Sequence, residues 1–143
     1  MTLTTRTWSR ALLAALLLGL AAGASASAQV PDWSAVADAR EVTALTHDAD
    51  GALRERTIWL AVLDRQGYIR TSRSTTWGDN AVRDGELQLR IRGAEYRLRV
   101  ELVEDEALLA RIASAFHEKY GFTDTLAGLV RGSGARIMRL SAP

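Results

Sequence analysis

The sequence predicts a mainly β domain of the α+β class: a small six-stranded antiparallel barrel, closed or half-closed, with one long and one or two short helices, after a cleaved signal peptide. Three observations predict it. In "ELQLRIRGAEYRLRVELV" Leu87, Leu89 and Ile91, then Tyr96, Leu98, Val100 and Leu102, alternate with polar residues, the period of a half-buried hairpin. "IWLAVL" at 58–63 is apolar on both alternating faces, as in a strand covered on two sides. "VEDEALLARIASAFHEKYG" keeps a helical period and ends at Gly121. With hairpins dominating and little chain to spare, a barrel with helices beside it buries one face of every element.

The chain opens with the basic "MTLTTRTWSR", continues with the apolar "ALLAALLLGLAA", and reaches "GASASA". Ala26 and Ala28 flank Ser27 in an A-x-A pattern, so a secretory signal over 1–28, cleaved after Ala28, is expected. The apolar run falls short of the about 20 residues a spanning helix needs, so no membrane anchor should remain. An uncleaved membrane helix would leave the A-x-A ending unexplained. Export to the periplasm or medium follows as the expected localisation. Arg6 and Arg10 are not adjacent, so transport of an unfolded chain is expected rather than the twin-arginine route.

With 143 residues and no cysteine, the protein has no disulfide and no thiol for a lipid. Losing the signal removes two of 18 basic residues and none of the 17 acids, a formal charge of −1. Such a balance excludes a general electrostatic case for nucleic acid. The remaining length suits one domain, expected over 41–143, with 29–40 as a lead-in.

Taken in order, Pro31 and Asp32 open a helical turn in the lead-in. "EVTALTH" is β-branched, and "DADG" turns it into a second strand from Arg54 to Leu63. "YIRTS" returns as the partner of that strand. A short helix over 77–85 ends at Gly85. In the next hairpin, a Gly93-Ala94 loop of type II′ sets Arg92 against Glu95, Ile91 against Tyr96, Arg90 against Arg97 and Leu89 against Leu98. The long helix presents Leu108, Leu109, Ile112, Ala115 and Phe116 on one face, with Lys119 suited to its negative end. A second short helix, "TDTLAGLV", takes Thr123 or Asp124 as its cap. A Gly-Ser-Gly joint leads to the last strand, Ala135 to Leu140.

Several residue patterns exclude chemistry. His47 and His117, the two histidines, sit in no metal-ligand spacing. Ser114 lies within a helix without a nucleophile elbow. Asp48, Asp50 and Gly51 begin like a calcium loop, lack the later ligands, and read as a turn. Arg90 opposite Arg97 would repel on a hairpin unless Glu95, Glu101 or a bound anion diluted the charge. Trp59 reads as core packing, Trp77 beside Gly78 as a pocket wall, and Tyr120 as closing the core or an oligomer contact.

Arg70 to Trp77, "RTSRSTTW", are what remain: two arginines, five hydroxyls and an indole. A solvated strand end would read the same way. As a site, the guanidinium makes charge-assisted bonds to phosphate, hydroxyls fill the other oxygens, and Trp59 or Trp77 stacks on a planar ring.

"ERTIWLAVLDRQGYIRTSRSTTWGDNA", the Gly93 hairpin and "HEKYG" together resemble the FMN-binding split-barrel superfamily typified by pyridoxamine 5′-phosphate oxidase, and within it small uncharacterised members related to deazaflavin-dependent nitroreductases. The likeness runs from Glu41 to Leu140 and rests on Thr57-Ile58-Trp59, on Tyr68-Ile69-Arg70 with Ser72, and on Trp77 with Asn80 or Ala81. It implies a split β-barrel, a homodimer, and FMN or a deazaflavin whose phosphate lies near Arg70, Thr71, Ser72, Arg73, Ser74, Thr75 and Thr76, with Thr57, Trp59, Trp77 and Asn80 completing the cofactor site. Hydride transfer would then belong to the cofactor, which accounts for the missing catalytic dyad. The competing expectation is a cofactor-free exported binding or interaction protein that keeps only the fold, since a chain exported unfolded cannot carry a cytoplasmic cofactor with it.

Overall fold

The computed structural model describes residues 29–121 and 134–143. The expected signal segment and second short helix, and most of the Gly-Ser-Gly joint, lie outside the described residues. Six strands and two helices follow one another: β1 (Glu41–His47), β2 (Leu53–Leu63), β3 (Gln66–Ser72), α1 (Thr76–Asp84), β4 (Glu86–Ile91), β5 (Ala94–Leu102), α2 (Glu106–Tyr120) and β6 (Ala135–Ser141). All pairings are antiparallel, and the order β1-β2-β3-β6-β5-β4 closes on itself through β4 and β1. Each described strand therefore has a neighbour on both sides. The exceptions are the outer half of β2, Leu53 to Trp59, which pairs with β1 alone, and the end of β3 from Arg70 to Ser72, which pairs with β6 alone.

Alternation builds two cores. Val42, Ala44, Ile58, Leu60, Ile69, Leu87, Leu89, Ile91, Leu98, Val100, Met138 and Leu140 fill the barrel, joined by Trp77 and Ala81 from α1. Outside it, Ala61, Tyr68 and Ile137 receive Ile112 and Phe116 of α2, with Leu108, Leu109 and Ala115 packed around them as the helical period predicts. Leu102, expected in the core, is exposed at the end of β5. The lead-in turn is braced by Asp32, whose side chain accepts from the Ser34 N–H (3.0 Å). Its Trp33 seals one flank of the barrel so closely that a Cβ on Gly67 would stand 2.2 Å from the indole.

The β4–β5 register differs from the one expected. Arg92 (φ 51°) and Gly93 (φ 85°) both take the left-handed region, which makes the turn type I′ on Arg92-Gly93 rather than II′ on Gly93-Ala94. Ile91 consequently faces Ala94, Arg90 faces Glu95, Leu89 faces Tyr96 and Leu87 faces Leu98. The Arg90–Arg97 repulsion disappears. Arg90 binds Glu95 (2.7 Å) and Glu55 (3.2 Å), and Arg97 binds Glu86 (2.7 Å).

Helix α2 is capped by Asp105, which accepts from the Leu108 N–H at 2.7 Å, and it stops at Gly121. Its last turn fastens the barrel. Leu60 stands one place past the last β1–β2 pair, Glu41 with Trp59. The Leu60 N–H donates to the Tyr120 hydroxyl (3.1 Å), and Lys119 Nζ donates to the Leu60 carbonyl (2.7 Å). Lys119 thus turns inward instead of serving only the helix dipole, and burial pulls its pKa below the ordinary lysine value.

Candidate functional site

The β2–β3 ladder runs from the Asp64-Arg65 turn only as far as Leu60 with Ile69. Beyond that rung β2 follows β1 and β3 follows β6, so the two strands part. A cleft of about 440 Å³ lies between them, lined by Thr57, Ile58 and Trp59 of β2, by Arg70, Thr71 and Ser72 of β3, and by Thr75, Trp77 and Ala135. The site is the split itself.

Strand alternation sends Arg70 outward beside α2, where its guanidinium lies 5.3 Å from the Trp59 ring centroid and 5.9 Å from that of Phe116. Trp59 stacks on Tyr120 at 4.5 Å with the ring planes 9° apart. The half-buried Arg70 has no hydrogen bond or carboxylate partner among the described residues, and burial lowers its pKa. An arginine stays charged through such a shift, so the cleft holds an uncompensated cation against an aromatic wall.

The hydroxyls behave differently from the expectation. Thr71 Oγ1 contacts Thr75 Oγ1 and donates within reach of the Ser72 carbonyl (3.1 Å), which Thr75 Oγ1 also reaches (3.1 Å). Their protons hold the turn between β3 and α1. Two hydroxyls are left available: that of Thr57, which makes no hydrogen bond among the described residues, and that of Ser72, whose Oγ has only a 3.4 Å contact with Ser74 Oγ.

Of the residues anticipated for a cofactor, Thr57, Trp59, Arg70, Thr71, Ser72, Thr75 and Trp77 converge on the cleft. Arg73, Ser74, Thr76 and Asn80 do not line it. Arg73 packs beside Gly134 with its N–H on that residue's carbonyl (2.6 Å), and Ser74 is exposed at the turn. Thr76 opens on an adjoining hollow. Asn80 is buried, giving a hydrogen bond to Asp48 (2.7 Å) and accepting one from Arg83 (3.0 Å), so its amide is spent on structure. Both tryptophans line the cleft: Trp77, the expected wall, is only 6% exposed and belongs to the barrel core as well, whereas Trp59, expected as core packing, is the half-buried wall.

Arg136 of β6 was not anticipated. It binds Asp79 (2.8 Å) and the Ser72 carbonyl (3.1 Å), pinning the end of β3 to the first turn of α1, and its buried Nε–H has no acceptor among the described residues. Nor did the sequence reveal that Asp48, read as part of a turn, would take Arg54 (2.6 Å) and Asn80. The Arg54 and Asn80 bonds hold its pKa down at about 2. No group of acids and histidines suited to a metal occurs among the described residues.

A closed antiparallel barrel with a split between β2 and β3 and a helix against it defines the class: the protein has the split-barrel fold of the pyridoxamine 5′-phosphate oxidase-like superfamily. Residues 32–140 match the model of the uncharacterised proteins conserved in bacteria called DUF2255, and the chain belongs to that family. No curated protein matches it.

Solved structures share the fold at low identity. A conserved hypothetical protein from Mycobacterium tuberculosis is 21% identical with a TM-score of 0.62, over 82% of this chain and 83% of its own. The haem storage protein HutZ from Vibrio cholerae is 14% identical with a TM-score of 0.61, over 73% and 82%. An F420 reductase is 14% identical with a TM-score of 0.60, over 80% and 96%.

Proposed function

We propose that the cleft binds a planar, anion-bearing cofactor of the flavin type, FMN or a deazaflavin, and that the protein is an exported oxidoreductase passing hydride to a small substrate. The observation that carries the reading is Arg70: a half-buried guanidinium with no carboxylate partner among the described residues, lining the cleft together with Trp59 and Ser72. A protein that only needed a stable barrel would gain by pairing or removing such a charge. Arg70 and Ser72 would hold the phosphate, and the Trp59 face would orient the ring. When bound, the cofactor supplies the hydride chemistry; the chain supplies the anchor, the aromatic wall and partial exclusion of water.

Haem, the ligand named for HutZ, suits these residues less well. Neither histidine of the chain lines the cleft, and imidazole is the commonest protein ligand to haem iron. One observation favours the cofactor-free reading: Thr71 and Thr75 hydroxyls are spent on the turn, leaving fewer phosphate donors than the sequence promises. An absorption spectrum of the purified protein, followed by titration with FMN and a deazaflavin, separates the two. Saturable binding weakened by Arg70→Ala and Ser72→Ala supports the flavin reading, and failure of every flavin to bind favours a binding protein without cofactor.

A further inference from the structure

Trp59 is half-buried, and a hollow of about 550 Å³ lies beside it, lined by Arg40, Glu41, Trp59 itself and Tyr120. An indole that borders this hollow as well as the cleft has space to turn, so close packing alone does not fix it. Its backbone stands where β2 changes neighbours: the β1–β2 ladder ends at Glu41 with Trp59, and the β2–β3 ladder at Leu60 with Ile69.

Two side chains of α2 supply what the ladders lack. The register would next set Arg40 against Leu60, and there Lys119 Nζ donates to the carbonyls of Ala39 (2.5 Å) and Leu60 (2.7 Å). The Tyr120 hydroxyl accepts the Leu60 N–H (3.1 Å) and lies within donating distance of the Arg40 (2.5 Å) and Leu60 (2.8 Å) carbonyls. The Tyr120 ring stacks on Trp59, 4.5 Å between centroids and 9° between planes, and Phe116, one turn earlier in the helix, lies 6.0 Å from it. One tyrosine thus holds the backbone beside Trp59 by its hydroxyl and the indole by its ring, yet does not itself line the cleft.

We infer that Tyr120 is a positioning residue for the cleft: it keeps the Trp59 indole in the one orientation that a planar guest meets, so the end of α2 sets the affinity of a site it does not touch. The inference rests on the flavin reading for the identity of the guest. A wall ordered in advance adds affinity because it need not be ordered at the moment of binding. By linkage, a guest lodged against Trp59 steadies the stack in return.

The test labels the full-length protein with fluorotryptophan, assigns the Trp59 fluorine resonance with Trp59→Phe, and titrates FMN by the quenching of its fluorescence. Tyr120→Leu, which removes ring and hydroxyl, should broaden or split the Trp59 resonance, leave those of Trp33 and Trp77 sharp, and weaken FMN about tenfold. Tyr120→Phe, which keeps the ring, should keep one sharp Trp59 resonance and lose about threefold or less, which guards against a fold defect in the leucine variant. A Trp59 resonance that stays single and sharp in Tyr120→Leu, or an unchanged FMN affinity beside a broadened one, overturns the positioning role while the flavin reading stands. If neither FMN nor a deazaflavin binds the unaltered protein, the flavin reading falls and the fluorine spectrum decides alone: broadening confined to Trp59 upholds the role, and a sharp Trp59 resonance, or broadening shared by Trp33 and Trp77, overturns it.

Discussion

The β4–β5 hairpin and the β2–β3 cleft are both rich in arginine, and they treat it in opposite ways. On the hairpin Arg90 meets Glu95 and Glu55, Arg92 meets Asp38 (2.6 Å), and Arg97 meets Glu86. In the cleft Arg70 meets aromatic faces and no acid among the described residues. An exposed surface pairs its cations locally or, as with Arg99 on the same hairpin, leaves them in water that screens them. A cation held half-buried with no acid among the described residues is suited to an anion that arrives from outside, and this difference, more than arginine content, singles out the cleft.

The strongest way to break the comparison is to make the cleft resemble the hairpin. Ser72→Glu would place a carboxylate on the same strand face as Arg70, two residues away, and should abolish flavin binding in a fluorescence titration while circular dichroism stays unchanged. Next in size, Arg70→Ala should lower flavin affinity about ten- to a hundredfold, the range for losing a charge-assisted contact of about 1.5–3 kcal/mol. Gly67→Ala, where a methyl would collide with Trp33, should lower stability by roughly 1–3 kcal/mol in urea denaturation without selective loss of binding.

A smaller effect concerns acid. Asp48 titrates at about 2, below the ordinary 3.8, chiefly through its bond to Arg54. Its stabilising contribution is complete above the ordinary value and fades as pH falls through about 2. Asp48→Asn should therefore lower stability at neutral pH and flatten the low-pH limb of a denaturation curve, because the part of the stability that acid removes is already gone. Smallest of all, Arg97→Ala on the exposed hairpin face should produce no measurable shift of the midpoint, because a solvent-screened pair contributes little.

Much of the barrel was legible because its strands keep a period of two and α2 keeps its helical period; those patterns follow from burial. The hairpin register was not. Gly93 invites a turn that starts on it, whereas the chain puts Arg92 in the left-handed region, a cost that no local pattern announces. The site divides the same way. Arg70, Thr71 and Ser72 are neighbours in sequence, and a tight turn brings Trp59 opposite them, so their grouping could be read directly. Asn80 was misplaced because its partner Asp48 lies 32 residues earlier, and Arg136 was missed because it reaches Ser72 across 64 residues. Long-range partners are decided by closure of the barrel, which sequence periodicity does not encode.

The early end of the β2–β3 ladder has a consequence for amide protons. Those of Thr57 and Arg70, past the last rung at Leu60 and Ile69, should trade with deuterium sooner than those of the paired strands around them. A guest lodged between the lips should slow that trade. The gap in the sheet is thus its own gauge of occupancy, readable before anyone knows what the guest is.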